Sequence, residues 1–361
     1  MVQREHELGA DAFAERMLGA FLGALETMGH YLGERLGWYA ALTELGDASP
    51  PELARHTRTQ PRYAREWLEM QAAYGVLTVV VDVEDDGDPD ERRFALPPGH
   101  AEVLTDERSL AYLGALPRLV AAVGSQLPQL LEAYRQGGGV SWAARGPDAR
   151  EAQAALNRPW FEARLGPALR GLPEVADVLS EAGARLLDVG CGAGWSSVAL
   201  AAAFPACEVT GVDVDAASIA LARRTHADRS RVSFALADGV AAYGPTPYDA
   251  GLFFECLHDM PDPIGVLSNV RRAVRPGGLV LVMDEAVGER FSAPADEVDR
   301  LMYGFSTLIC LPDGLSTQPS VGTGTVLRPA TLERYARAAG FTRVEILPVE
   351  DFSFFRFYRL H

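Results

Sequence analysis

The sequence predicts an α/β protein, with a doubly wound parallel sheet in the second half and a helical, winged-helix-like domain before it. Three observations predict this. From Arg185 onward the apolar runs RLLDV, CEVTGVDV, VSFALAD, YDAGLFFECL and GLVLVMDEA alternate with helix-like stretches such as WSSVALAAAF, AASIALARRTH and PIGVLSNVRRAV. Strands apolar on both faces and separated by amphipathic helices belong to parallel sheets. A glycine-rich turn follows the first run, and acids fall at the ends of the first three. Near the N-terminus, SPPELARHTRTQPRYAREWLEMQAAYGVLTVVVD reads as helix, turn, helix, strand.

The composition sets bounds on function. A chain of 361 residues, 48% of them apolar, folds into more than one small core. Lysine is absent, so all 33 cationic side chains are arginine, and asparagine occurs only at Asn157 and Asn269. That is the signature of a GC-rich coding sequence. The net charge of −16 opposes a large nucleic-acid footprint, which needs a basic face. Cys191, Cys207, Cys256 and Cys310 form no C-x-x-C pair and no His/Cys cluster spaced for zinc, and reduced thiols are expected. Early acids and no basic segment before an apolar core argue against a signal peptide, and no apolar run would span a bilayer. A soluble cytoplasmic protein is expected.

Three regions follow in order. Residues 1–106 begin with Met17, Phe21, Leu22, Leu25, Met28, Leu32 and Leu36 at helical spacing. Ser49, Pro50, Pro51 and Glu52 form a helix start of capping-box type, and Gly75 ends the longer helix of the pair. Val76–Val83 and Arg93–Leu96 flank EDDGDPDE, a two-stranded wing with an acidic tip. A DNA reader would place Arg58, Arg62 and Arg65 on phosphates. Residues 1–110, however, hold 10 Arg against 21 Asp and Glu, a local net charge of −11, which is the wrong sign. Dimerisation is the expected use of this domain. Residues 107–184 are helical and interrupted by prolines and by Gly137–Gly139. Their Trp142, Trp160 and Phe161 read either as core aromatics of connecting helices or as the wall of a lid over a pocket. Residues 185–361 carry the sheet, which closes with TRVEILPV and FSFFRFYRL as an antiparallel pair.

The glycine loop LLDVGCGAGWSS places Asp188, Gly190, Gly192 and Gly194 between the first strand of the sheet and its helix. Glycines there allow a tight turn and let a ligand approach a helix N-terminus. Asp213 closes the second strand, where a carboxylate can take both hydroxyls of a ribose, and Asp238 closes the third, within reach of an adenine amino group. All these acids fall at strand carboxyl ends, where open α/β sheets bind ligands.

With RPGG before the fifth strand and AAGF before the sixth, these residues resemble class I S-adenosylmethionine-dependent methyltransferases. The whole chain is similar to winged-helix small-molecule O-methyltransferases and to actinobacterial methyltransferase-like proteins. The resemblance implies a seven-stranded Rossmann-like sheet whose last strand is antiparallel, and a homodimer built by the N-terminal domain. It implies S-adenosylmethionine as cofactor. The glycine loop and Asp188 would hold the methionine end, Asp213 the ribose, Asp238 and Gly239 the adenine, with Phe254 at the end of the fourth strand.

FFECLHDMPDP, Phe253–Pro263, holds a candidate for proton chemistry. Its His258 has two readings, as a general base suited to neutral pH or as polar punctuation in a turn. The resemblance implies the base, oriented by two acids. Asp284 matches the first, while the second position falls near TGTVLRP, where Val326 and Arg328 stand. Asp262 and Pro263 read as the N-cap and first residue of a helix. Val298, Leu301, Met302, Phe305, Leu308 and Ile309 form one helical stripe, and Tyr303, Ser306 and Cys310 beside it are expected to line an acceptor pocket with the aromatics of the second region. A small, largely apolar, aromatic acceptor follows, methylated at oxygen, and no carboxylate cluster spaced for magnesium is evident. The alternatives are a ligand-sensing winged-helix regulator and a non-methylating reaction on the same fold.

Overall fold

The computed structural model describes residues 9–84, 87–239, 243–244 and 246–361. The chain divides into two compact units, Met1–Ala121 and Ala122–His361, with the division inside the helix Leu116–Gln136.

In the first unit a 26-residue helix, Ala10–Arg35, is followed by helices Trp38–Leu45, Pro50–Thr57 and Pro61–Ala73. The expected capping box is present. Glu52 accepts from the Ser49 backbone N–H at 3.0 Å, and two prolines open the helix without losing a needed donor. The wing is shorter than the sequence suggested. Strand β1, Thr78–Val81, pairs antiparallel with β2, Arg93–Ala95, while Val76 and Leu77 turn into the core instead. Asp85 and Asp86 of the expected acidic tip lie outside the described residues. The core gathers Trp38, Tyr39, Trp67 and Phe94, with the three larger rings packed edge-on or tilted at about 5 Å. Two of the three arginines that a DNA reader would need are paired with acids, Arg62 with Glu66 at 2.5 Å and Arg65 with Asp90 at 3.2 Å.

The long helix Ala10–Arg35 buries only its small residues, Gly29 and Gly33. Met17, Phe21, Leu22, Leu25, Met28, Leu32 and the capping Leu36 are between 39% and 60% exposed. Full burial of one such side chain is worth about 1.5–3 kcal/mol, so the stripe forgoes a large part of its stabilisation.

The second unit is built on a seven-stranded sheet of β3 (Arg185–Val189), β4 (Glu208–Asp213), β5 (Val232–Leu236), β6 (Tyr248–Phe254), β7 (Val274–Glu285), β8 (Val344–Ile346) and β9 (Phe355–Leu360). Their order is β5-β4-β3-β6-β7-β9-β8. The first five are parallel, and β9 runs antiparallel to both β7 and β8. Alternation along each strand feeds two cores. Leu186, Leu252 and Leu281 pack on one face with Leu165, Leu169 and Leu200, while Leu187, Phe253 and Val282 pack on the other with Val266, Leu267 and Val270. The strand order reverses between β3 and β6, so the crevice for a ligand opens at their carboxyl ends.

Candidate active site at the carboxyl end of the sheet

After β3 the chain turns at Gly190, whose φ of +73° is left-handed. A Cβ there would stand 2.8 Å from the Cys256 thiol, which itself donates to the Val189 carbonyl at 3.0 Å. Only glycine lets the two strand exits approach so closely. Gly194, φ +84°, caps the helix Trp195–Ala203 with its Cα against the Phe234 ring. Beyond Gly192 none of the described residues comes within 4 Å of where a Cβ would stand.

The acids are placed as the strand ends dictate. Asp188 is buried, and its Oδ2 accepts from the Ser196 and Ser197 hydroxyls at 2.6 and 2.5 Å. Its Oδ1 has no hydrogen-bond partner among the described residues. Burial pushes its pKa up to about 6, against the pull of the two serines. Asp213 accepts from the backbone N–H of Gly192 at 2.8 Å and of Asp215 at 2.8 Å, and burial raises its pKa as well. Asp238 lies exposed just past β5. The carbonyl of buried Gly239 accepts from the Asn269 amide and the Tyr243 hydroxyl, both at 3.0 Å. The Phe254 ring packs edge-on against Phe161, with centroids 6.0 Å apart.

Beside this loop, β6 ends and the chain makes a short turn, Leu257–Asp259. His258 sits in it, 2% exposed. Its Nδ1 lies 2.9 Å from Asp284 Oδ1 and 3.2 Å from Glu285 Oε2, both at the end of β7, and its Nε2 lies 3.4 Å from Asp259 Oδ1. Carboxylates facing both nitrogens favour the imidazolium, which donates at Nδ1 to Asp284. Burial alone would lower its pKa. The charges of Glu285, Asp259 and Asp284 outweigh that and raise it well above the usual imidazole value. Glu285 is pushed up to about 8, by burial and by Asp284, despite the imidazolium. His258 thus sits both in the turn and in a buried cluster of acids. The turn itself is closed by Asp262, which caps the next helix by accepting from Gly265 N–H at 2.8 Å, with Pro263 in its first position.

Glu285 is the second acid that the sequence did not yield. Neighbours in a strand point to opposite faces, so Asp284 and Glu285 would not be expected to meet one imidazole. They do so at the last two residues of β7, where both are still paired with β9. His258 also anchors two groups of atoms with metal-ligand spacing, His258–Asp259–Cys310 and His258–Asp284–Glu285, each within 4.8 Å. Sequence spacing missed both groups, since their members come from different elements.

The expected acceptor residues divide. Cys310 lies beside His258 and Asp259, its thiol pKa pushed up to about 12 by burial and the Asp259 charge. The Tyr303 hydroxyl takes a bond from Arg328 at 3.2 Å, and Ser306 is buried against Gly324. The helix Glu297–Phe305 passes into a π-helical turn, Ser306–Cys310; Leu301 before the turn and Leu308 within it are exposed, while Met302 and Ile309 are buried. Trp142 is half-buried and its backbone N–H donates to Asp313 at 2.6 Å. Trp160 packs on Phe352, and Phe161, 7% exposed, belongs to the core beneath Phe254 rather than to a pocket wall.

An open sheet of this order, with a glycine loop at its reversal point and an acid closing each of its first two strands, defines a Rossmann-like methyltransferase fold. Comparisons with known proteins agree. The methyltransferase domain family matches residues 187–280, and the Rv2258c-like winged HTH domain family matches residues 20–106. A ubiquinone biosynthesis O-methyltransferase of Aromatoleum aromaticum is 32% identical over 169 residues, 46% of this chain and 67% of that protein. A demethylmenaquinone methyltransferase of Tropheryma whipplei is 31% identical over 113 residues, 31% of this chain and 46% of its own length. Among solved structures, mitomycin 7-O-methyltransferase MmcR superposes with a TM-score of 0.71 at 22% identity over 98% of both chains. Human N-acetylserotonin methyltransferase, solved with S-adenosylmethionine, gives 0.71 at 16% identity over 100% of this chain and 99% of that one. The chain belongs to the S-adenosylmethionine-dependent methyltransferases.

Proposed function

We propose that this chain transfers the methyl group of S-adenosylmethionine to an oxygen of a small, largely apolar, aromatic acceptor in secondary metabolism. The observation that carries the reading is a juxtaposition at the carboxyl ends of two neighbouring central strands. The glycine loop and Asp188 leave β3 directly beside the acid-held His258 that follows β6.

The residues fit the donor. A buried carboxylate oxygen without a partner, Asp188 Oδ1, is the acceptor that an ammonium requires, and the space beyond Gly192 admits a ligand against the backbone. On this reading Asp188, Gly190, Gly192 and Gly194 hold the methionine end. Asp213 takes the ribose hydroxyls, Asp238 and Gly239 meet the adenine, and Phe254 offers its backbone. When bound, the donor supplies an electrophilic methyl on a sulfonium. The chain's own task is placement, since effective molarities reach roughly 10⁵–10⁸ M where geometry is good. A general base adds about 10²–10⁴-fold. His258 would take the acceptor's hydroxyl proton at Nε2, which faces Asp259 at 3.4 Å without a hydrogen bond, while Asp284 and Glu285 face Nδ1. Because the resting ring is cationic, its base form appears only as pH rises. The carboxylates are assigned here to the imidazole rather than to a metal ion. Trp142, Trp160, Tyr303, Ser306 and Cys310 would face the acceptor, with Phe161 supporting them from the core.

The three regions take distinct roles: residues 1–106 form a homodimer through the exposed stripe, 107–184 link and cover, and 185–361 bind the donor. The paired Arg62 and Arg65 speak against DNA. Among the described residues no helix is long and apolar enough to cross a membrane, and the proposed setting is the cytoplasm. The test is calorimetry with S-adenosylhomocysteine followed by transfer of labelled methyl to a panel of phenols. Absence of binding would sink the assignment. Sedimentation of a chain lacking residues 1–36 should show a monomer, and a persisting dimer would contradict the role of the first helix.

A further inference from the structure

One helix of the second unit makes contacts that the proposed chemistry leaves unused. Gly146–Trp160 carries Arg150, Gln153 and Asn157 at positions i, i+3 and i+7, which is one face. Arg150 Nε donates to Asp215 Oδ2 at 2.7 Å, an ion pair whose side chains are 11% and 10% exposed. Asp215 lies two residues beyond the end of β4, and its own N–H is bound to Asp213. Gln153 and Asn157 donate to the two oxygens of Glu255, at 3.1 and 2.6 Å. Glu255 is the residue directly after β6. From the next position, Arg158 lies over the Trp195 ring at 4.4 Å, and Trp195 opens the helix behind the glycine loop. The helix thus reaches from the exit of β4 past β3 to the exit of β6, across the place where the strand order reverses.

Glu255 is unusual in its own right. It is a non-glycine residue at φ +55°, a conformation that L side chains adopt at a cost and that marks functional positions when the surroundings hold it. Its neighbour on the far side is the His258 cluster. Burial first, and then the charge of Glu285, push its carboxyl up to about 8. Both of its oxygens are held from the covering helix, while its backbone N–H is tied to the Met283 carbonyl at 2.8 Å in β7. Upstream, Val140, Trp142 and Arg145 are anchored to Pro312, Asp313 and Ile309, and beyond those anchors the helix begins at Gly146, whose left-handed φ of +78° lets the chain turn there without a side-chain penalty.

Resting on the methyltransferase reading, we infer that Gly146–Trp160 is a clamp that closes over the bound donor, and that Glu255 is the positioning residue through which the clamp fixes the exit of β6 and hence the reacting centre. The donor enters before Arg150 and Asn157 reach their partners, and leaves after they let go. The clamp shields the sulfonium site from water and holds Glu255 in its left-handed state.

The test uses the full chain and S-adenosylhomocysteine. Hydrogen exchange of the amides of residues 146–160 should slow on saturation, and Asn157→Ala and Arg150→Ala should each raise the dissociation rate of S-adenosylhomocysteine about tenfold, the loss expected for one charge-assisted bond. Glu255→Gln should lower kcat with little change in acceptor KM, and Asn157→Gln, which keeps the amide donor, should recover part of the Asn157→Ala loss. Thermal melts of each variant control for unfolding, and Arg150→Ala, at the other end of the clamp, provides an independent probe. If S-adenosylhomocysteine binds but exchange and dissociation rates stay as in the wild type, the clamp is refuted and the methyltransferase reading stands. If it does not bind at all, both fall.

Discussion

Around the glycine loop, Asp213 accepts two backbone N–H groups and Asp188 two serine hydroxyls. A few residues away, Asp259, Asp284 and Glu285 gather about a single imidazole, and Asp259 Oδ1 and Asp284 Oδ2 find no hydrogen-bond donor among the described residues. The first arrangement is a set of fixed acceptors with one oxygen left for a ligand. The second is a store of negative charge balanced by protons. On the proposed roles, binding and proton transfer are built separately, by rigid backbone geometry on one side and by shared ionisation on the other.

The largest effect should fall on the proton side. His258→Ala should lower kcat by about 10²–10⁴-fold, leave acceptor KM nearly unchanged, and recover at high pH where the acceptor ionises unaided. Equal rates in variant and wild type would reduce His258 to a turn residue. On the binding side, Asp213→Ala should weaken S-adenosylhomocysteine by roughly 10–100-fold, since bonds to a charged group are worth about 1.5–3 kcal/mol. Unchanged calorimetric affinity would break the donor assignment and leave the proton side untouched.

Two pH profiles sharpen the contrast further. The His258 pKa is raised, so the rate should climb with pH through a value above the ordinary imidazole range. Glu285→Gln removes a charge that supports the imidazolium over the alkaline range where Glu285 is ionised, and should move that limb toward neutrality by about one unit. A profile that stays in place would mean that Glu285 does not act through His258. The smallest effect concerns Asp188, whose carboxylate is present above about 6 and lost below it. Affinity for S-adenosylhomocysteine should fall a few-fold as pH drops through that value, and a flat profile would remove Asp188 from the methionine end.

Local signals were readable where local rules decide. The Ser49 capping box, the Asp262–Pro263 helix start and the closing antiparallel pair all stand as their residues predict. The glycine loop and the acids at strand ends were legible for the same reason, because topology puts strand exits together whatever the side chains. What remained hidden depends on register or on distance along the chain. The π-helical turn at Ser306–Cys310 interrupts a stripe that regular spacing would keep on one face. Glu285 meets His258 beside Asp284, although strand alternation would put the two acids on opposite faces. Asn157 and Glu255 are 98 residues apart, and no periodicity links them.

The two asparagines of the chain acquire a meaning from where they sit. One amide donates to Glu255, and the other, on Asn269, donates to the carbonyl of Gly239. Loss of either amide by spontaneous hydrolysis would leave an aspartate in its place. At 157 it would set two carboxyl groups face to face, and at 269 an acid against a carbonyl. In a chain with no other asparagine, chemical ageing by this route is confined to the two sides of one crevice, and a worn molecule should lose its hold on the donor before it loses its fold.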